Sequence, residues 1–285
     1  MKKLIVNKKY DNYNVVTFLQ KSFEHLNTSN IFKALRKKDI IVNGVRIKEN
    51  ILLHEKDEIT IYIDDKYLYP TLDFPVIYED DNILVLNKPA SIEVVSDNIN
   101  KQTMTTILKT KYDFIYPCHR LDRNTTGLIL FAKNEEALNI LFDKFKQNEI
   151  GKYYRCIVYG VPKEKSATKT AYLFKDNSKS MVYISDDPKK GYQKIITSYK
   201  TLDIDKANNI STLEVELHTG KTHQIRAHLA HIGLPILGDG KYGIQKINKQ
   251  FNKKNQCLES YKLIFNFKKD SGILNYLSGM EIKIK

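Results

Sequence analysis

The sequence predicts an α+β protein in which a small N-terminal α/β domain precedes a larger domain built on a mixed, mainly antiparallel β-sheet. Three observations carry that assignment. Helical spacing of apolar residues near the N-terminus gives way to a β-prone stretch with an Asn-Gly turn. Alternation with period two recurs through the centre, and the apolar run Gly127 to Ala132 has no polar face, as a strand buried on both sides requires. A chain of 285 residues buries about three quarters of its unfolded surface. With 42% hydrophobic and 28% charged residues it is neither collagenous, low-complexity nor disordered.

From Val15 to His25, Val16, Leu19 and Phe23 fall at helical spacing, and Ile31 to Leu35 begins a second amphipathic stretch that ends in Arg36, Lys37 and Lys38. Ile40 to Ile47 then places Asn43-Gly44 between β-prone residues, and Glu58 to Ile63 alternates with period two. These elements make a first domain of residues 1–63. Residues 64–73 (DDKYLYPTLD) read as a linker, with Phe74-Pro75 opening a second domain of residues 74–285. There, Ile83 to Leu86 and Gly127 to Ala132 are buried strands. Tyr154, Cys156 and Val158, and later Leu213, Val215 and Leu217, alternate as strands with one wet face. Residues 135–147 form an amphipathic helix. A shorter helix carries Ile225, Leu229 and Ile232 as its core stripe, with Thr222 as N-cap and Gly233 as its end. No period of 20 to 50 residues repeats, which excludes solenoids and propellers.

The formal charge of +13 is concentrated at the ends: +5 over residues 1–63, +2 over 64–243 and +6 over 244–285. Basic flanks attract phosphate, because Lys and Arg release counterions condensed on nucleic acid; compositional drift in a Lys-, Asn- and Ile-rich chain gives the same balance without a partner. Cys118, Cys156 and Cys257 lie far apart with no CxxC, against a disulfide framework and a thiolate zinc site. No apolar run approaches the roughly 20 residues that span a bilayer, so a cytoplasmic protein, neither exported nor membrane-bound, is expected.

The densest chemistry is His119 to Gly127 (HRLDRNTTG), directly before the buried strand, which would hold the segment rigidly. Asp122 has an arginine two residues before it and one after it. Neighbouring positive charge favours an ionised carboxylate fit to act as nucleophile or base; an Asp that caps a turn and pairs with Arg123 has the same pattern. In the second cluster, Arg226 falls near a helix start, where acids are preferred. It therefore calls for an anionic partner, a phosphate or a carboxylate such as Asp122, unless it is solvated.

Together, HRLDRNTTGLILFAKN and LHTGKTHQIRAHLAHIGLPILGDGKYG resemble the RluA-type family of RNA pseudouridine synthases, whose pattern is HRLDxxTSGLLLFAK followed about a hundred residues later by LxTGRTHQIRxHLAxxGxPIxGDxxYG. Lys152-x-Tyr154-x-Cys156-x-Val158-x-Gly160 is similar to the family's KxYxAxVxG strand and Asn87 to Ser91 (NKPAS) to its NKPAG, with Thr126, Lys221, Cys156 and Ser91 as mild departures. The likeness spans about residues 74–245. The first sixty residues resemble the small RNA-binding domain of the ribosomal-protein S-four type.

The resemblance implies a pseudouridine synthase catalytic domain in which Asp122 is the essential carboxylate, with the uracil ring and the sugar both open as its target. Tyr154 would stack on the uracil and help remove the proton from its carbon 5, Arg226 would pair with Asp122, and Arg120 would fill the space left by the flipped base. It further implies substrate contacts from His119, Arg123, Thr126, Lys152, His223 and Gln224, and RNA contacts in the first domain from Arg36, Lys37, Lys38, Asn43 and Arg46. Isomerisation needs no cofactor or metal. The partner would be RNA, with ribosomal RNA of the large subunit favoured over transfer RNA, and neither DNA nor membrane; a monomer is the default.

Competing readings meet the same residues. His218, His223, His228 and His231 crowd into fourteen positions, but a helix turns His223 away from His228 by about 140 degrees and no HExxH accompanies them. A kinase HRD loop fails for want of a Gly-rich phosphate loop. A non-catalytic RNA binder on the same fold is the serious rival, against which stands the joint presence of Asp122, Tyr154 and Arg226.

Overall fold

A computed structural model describes residues 1–23, 25–68, 73–98 and 101–284. The chain divides into two compact units, Met1–Asp73 with Ser96–Thr103, and Phe74–Val95 with Met104–Lys285. In the first, β1 (Lys2–Ile5), α1 (Val15–Ser22), α2 (Thr28–Lys37), β2 (Ile40–Val42), β3 (Val45–Ile47) and β4 (Glu58–Ile61) form a four-stranded sheet of order β1-β4-β2-β3 under two helices. Asn14 and Asn27 cap the helices, their side chains accepting from Thr17 and Asn30 N–H. Asn43 and Gly44 both take positive φ (49° and 81°), the hairpin turn that matches strand twist. Val16, Leu19, Ile31, Leu35, Ile40 and Ile59 fill the core. The expected linker is shorter than residues 64–73: Asp65–Leu68 form a turn of helix, α3, and Leu68 is buried in this core. Residues 69–72 lie outside the described residues.

The second unit carries β5 (Val76–Glu79), β6 (Ile83–Lys88), α4 (Met104–Leu108), β7 (Tyr116–Pro117), β8 (Thr126–Ala132), α5 (Glu135–Lys146), β9 (Ile150–Tyr159), β10 (Ser166–Asp176), β11 (Met181–Ser185), β12 (Gln193–Asp205) and β13 (Ile210–Leu217). It continues with α6 (Gln224–His231), α7 (Gln245–Gln250), β14 (Leu258–Phe265) and β15 (Glu281–Lys283). The strands form one sheet of order β11-β10-β12-β13-β9-β14-β8-β6-β5, with β7 on β8 and β15 on β14. Every pairing is antiparallel except β14 with β8. At that parallel joint Gly127 is obligatory: its φ is +104° and a Cβ would stand 2.1 Å from the Ser260 carbonyl oxygen. Leu128, Leu130, Ala137, Leu141, Leu263 and Phe265 pack α5 onto this half of the sheet, and Ala227 of α6 packs on Ala171, Leu173 and Ile195 of the other. No helix among the described residues is long and apolar enough to cross a membrane.

Candidate active site

Cys118 to Thr125 joins β7 to β8 and is laced to its surroundings at both ends. Cys118 N–H donates to the Leu130 carbonyl at 2.9 Å, and Leu130 N–H donates to His119 Nε2 at 3.1 Å. Burial, helped by the charge of Lys152, pushes the His119 imidazole down to about 3. It is therefore neutral, with its proton on Nδ1. Lys88, fully buried at the end of β6, donates to the carbonyls of Pro89 (2.8 Å) and Arg123 (2.9 Å). Burial pushes its ammonium down to about 8 against the charges of Asp122 and Glu93. Arg123 donates from Nε to the Ser91 carbonyl at 3.2 Å, so it is not the partner of Asp122. Gln256 donates to the Thr125 hydroxyl at 2.6 Å, and the Thr126 hydroxyl lies 3.4 Å from the Leu258 carbonyl. Six contacts thus hold the segment on both sides of Asp122.

Opposite this loop, α6 begins differently from the sequence expectation. His223, not Thr222, is the N-cap, in a left-handed conformation (φ 52°) and without a side-chain cap. Gln224 shapes the turn instead. Its Oε1 accepts from the Thr219 hydroxyl (2.9 Å) and Lys221 N–H (3.1 Å), and its Nε2 donates to the Ile196 carbonyl (3.2 Å) and Thr197 hydroxyl (3.0 Å). These four bonds saturate a buried amide and hold Gln224 in place at the edge of the cavity beside Asp122.

Arg226, in the first turn of α6, is buried and donates from Nη1 to Asp122 Oδ2 at 2.9 Å. Its Nε and Nη2 form a two-pronged pair with Asp239 at 2.7 and 2.9 Å. Asp239 is completely buried and also accepts from Lys241 and Tyr242 N–H. Burial pushes its carboxyl up, but the bonds and charge of Arg226 outweigh that and hold it below the usual carboxylate range. Sequence reasoning assigned Asp239 no role. The available signal was an acid between two glycines just after the apolar run Leu234 to Leu237.

Arg120, Asp122, Thr222, His223 and Arg226 form the common wall of two cavities, of about 410 and about 530 Å³. The smaller is completed by Phe145, Lys152, Tyr154, Leu217 and Leu258. Tyr154 projects into it from β9, its phenol pushed up by burial and by the charge of Asp122, so it is neutral. The Lys152 ammonium lies 5.3 Å from the Phe145 ring centre, its pKa lowered by burial, and no carboxylate pairs with it among the described residues. The larger cavity is basic, with Arg123, Lys175, Lys241 and Lys254 in its lining. His223 spans both: Nδ1 is 2.9 Å from the Tyr242 hydroxyl and Nε2 4.0 Å from Asp122 Oδ2. Burial lowers its pKa despite Asp122.

Residues 82–231 match the RNA pseudouridylate synthase family. The chain belongs to that family, in its RluA-type branch. It is 33% identical over 290 residues to an uncharacterized RNA pseudouridine synthase of Mycoplasma genitalium, covering 92% of this chain and 88% of that one. It is also 33% identical over 254 residues to ribosomal large subunit pseudouridine synthase C of Rickettsia bellii, covering 81% and 82%. Among solved structures, human RNA pseudouridylate synthase domain containing 1 shares the fold at a TM-score of 0.61 and 19% identity, over 76% of this chain and 85% of that one. This pseudouridine synthase is therefore an RNA-modifying isomerase, and its substrate is RNA.

In this pseudouridine synthase, then, Asp122, Tyr154, Arg226, Arg120, Lys152, His223, His119 and Gln224 line one cavity, while Thr126 bonds the Leu258 carbonyl outside it. The remaining histidines go to separate partners, His218 to Ser198, His228 to Thr197 and His231 to Asp186. In the first unit Arg36, Lys37 and Lys38 are exposed at the end of α2. Arg46 donates to the Lys38 carbonyl at 2.6 Å and lies over the Tyr62 ring. Asn43 is exposed at the hairpin turn, its amide donating to Asp57 (2.8 Å) and accepting from Glu58 N–H (2.9 Å).

Proposed function

We propose that this enzyme isomerises specific uridines of large-subunit ribosomal RNA, with Asp122 as nucleophile. One observation supports the role of Asp122 above others: its carboxylate stands on a cavity wall shared with Arg226 at 2.9 Å, with Tyr154 in the same cavity. Extruding a uridine costs a few kcal/mol. Tyr154 offers a ring face on which the flipped uracil stacks, and Arg120 occupies the gap it leaves. Asp122 bonds to the ribose carbon 1 or to ring carbon 6 as the bond between the ribose and ring nitrogen 1 breaks. The uracil turns, carbon 5 bonds to ribose carbon 1, the Asp122 bond breaks to return the carboxylate, the hydrogen of carbon 5 leaves as a proton to solvent, and nitrogen 1 takes up a proton in its place. With its phenol neutral, Tyr154 contributes stacking more than base strength. Lys152, half-buried and without a carboxylate partner among the described residues, suits an oxygen of the base or its phosphate.

The ribosomal assignment draws on the Rickettsia relative, whose name places its action on the large subunit. The first unit, read as an S-four-type domain, grips structured RNA through Arg36, Lys37 and Lys38. Asp122→Asn tests the nucleophile on RNA transcribed with [5-³H]uridine. Tritium release is expected to fall at least a thousandfold while RNA affinity stays within severalfold, and an active variant overturns the assignment.

A further inference from the structure

The larger cavity at Asp122 does not end there. A third cavity of about 390 Å³ continues from it along α7 and the loop that follows, sharing Gly238, Gly240 and Lys254 with it. Lys249, Lys253 and Lys254 line this extension and no carboxylate does. Between Asp239 and Glu259 the chain holds five lysines and no acid. The three lysines are exposed, and none forms an ion pair among the described residues. The floor is rigid and tied to the catalytic wall. Asn248 of α7 accepts from Gly238 N–H at 2.7 Å and donates to the Asp239 carbonyl at 3.0 Å. A Cβ on Gly238 would stand 1.9 Å from the Asn255 carbonyl oxygen, so the two segments touch backbone to backbone. The residue that clamps Arg226 thus also fixes where these lysines stand.

We propose that this groove holds the sugar-phosphate backbone of the substrate RNA on one side of the flipped uridine, with Lys249, Lys253 and Lys254 as phosphate contacts; the inference rests on the reading of the Asp122 cavity as the uridine site. A line of unpaired cations floored by glycines recognises evenly spaced phosphates without reading sequence. It explains the excess charge of residues 244–285, which the chemistry at Asp122 does not use.

The test compares the full-length enzyme with Lys249→Gln/Lys253→Gln/Lys254→Gln, using a large-subunit ribosomal RNA transcript labelled with [5-³H]uridine. A matched triple, Lys163→Gln/Lys165→Gln/Lys206→Gln, removes the same charge from exposed positions that line none of these cavities. Three lost contacts lower the slope of log affinity against log salt by about 2, and KM is expected to rise at least tenfold with kcat unchanged. The matched triple and a triple Arg variant keep the parent slope. An unchanged slope and KM, or an equal loss in the matched triple, overturns the proposal. If the parent shows the salt slope and the triple lowers it, but the parent releases no tritium, the groove stands and the reading of the Asp122 cavity as the site for a large-subunit ribosomal uridine falls instead.

Discussion

Asp239→Asn is the most informative perturbation of the site, because it removes one negative charge and changes nothing in shape. Asn can still accept from Lys241 and Tyr242 N–H, but its NH2 group faces an N–H of Arg226, donor against donor. Removing one partner of a buried ion pair costs about 3–5 kcal/mol, and the lower end applies here because Arg226 keeps Asp122. For a unit of some 200 residues, about 3 kcal/mol corresponds to a fall in Tm of roughly 6–12 °C. Asp122→Asn removes a single bond from a carboxylate that is 22% exposed, which costs about 1 kcal/mol, roughly 2–4 °C. Activity ranks the other way. On the proposed assignment Asp122→Asn is expected to be inactive, whereas Asp239→Asn would keep the proposed nucleophile but let Arg226 drift, and a misplacement of about 1 Å costs on the order of a hundredfold. Thermal melts by circular dichroism and tritium release on both variants check the pair. Asp239→Asn melting with the parent and turning over at its rate would refute the clamp.

Tyr154→Phe keeps the ring and is expected to retain turnover within about tenfold, whereas Tyr154→Ala loses stacking of about 1–3 kcal/mol; equal losses in single-turnover assays would count against the ring. Replacing Arg36, Lys37 and Lys38 together by Gln in the full chain should lower the salt slope of RNA binding by about 2 to 3, with kcat at saturating RNA unchanged. An unchanged slope assigns the first unit another task. Lys88, lowered from 10.5 to about 8, is neutral in the fold but protonated in the unfolded chain between those values. The unfolded state therefore binds more protons there, and stability gains as pH rises. Urea titrations at pH 8 and 10.5 should show a gain of up to about 3 kcal/mol in the parent over Lys88→Met; parallel pH dependence would place the Lys88 proton elsewhere.

What the sequence disclosed follows from how regular each element is. β8, β9 and β13 were legible because their apolar alternation or continuity is unbroken. β14 was not: the register shift between Ser260 and Lys262 interrupts the period of two that would reveal it. β12 hides its inward face by placing Thr197 and Thr201 there among Ile195 and Tyr199, and β1 begins with a lysine paired to Asp65. The Asp122–Arg226 contact was foreseeable, since an arginine at a helix start calls for an anion. Asp239 and Lys88 were not, because a buried charge becomes recognisable only once its partners fold around it. Thr222 failed as a cap for a related reason: the helix entry is fixed by Gln224 reaching back to β12, a contact between distant segments.

The geometry of Arg226 bears on why Asp122, and not Asp239, is the carboxylate proposed as nucleophile. A guanidinium offers a fork to each of two sides, and a single carboxylate beside it would normally take both prongs. Asp239 takes the fork of Nε and Nη2, and Asp122 meets the guanidinium through Nη1 alone. Asp122 is consequently oriented through Oδ2 while Oδ1 has no protein partner among the described residues, the state a nucleophile requires: fixed in direction, with one oxygen free to form a bond. The parallel joint of β8 and β14 at Gly127 and the close approach of Gly238 to Asn255 help bring the Asp122 loop and the Asp239 loop to the same arginine. A side chain at Gly127 or Gly238 would force these backbones apart and disturb Asp122 without touching it. The division of labour between the two aspartates is set by which of them reaches the arginine with two oxygens.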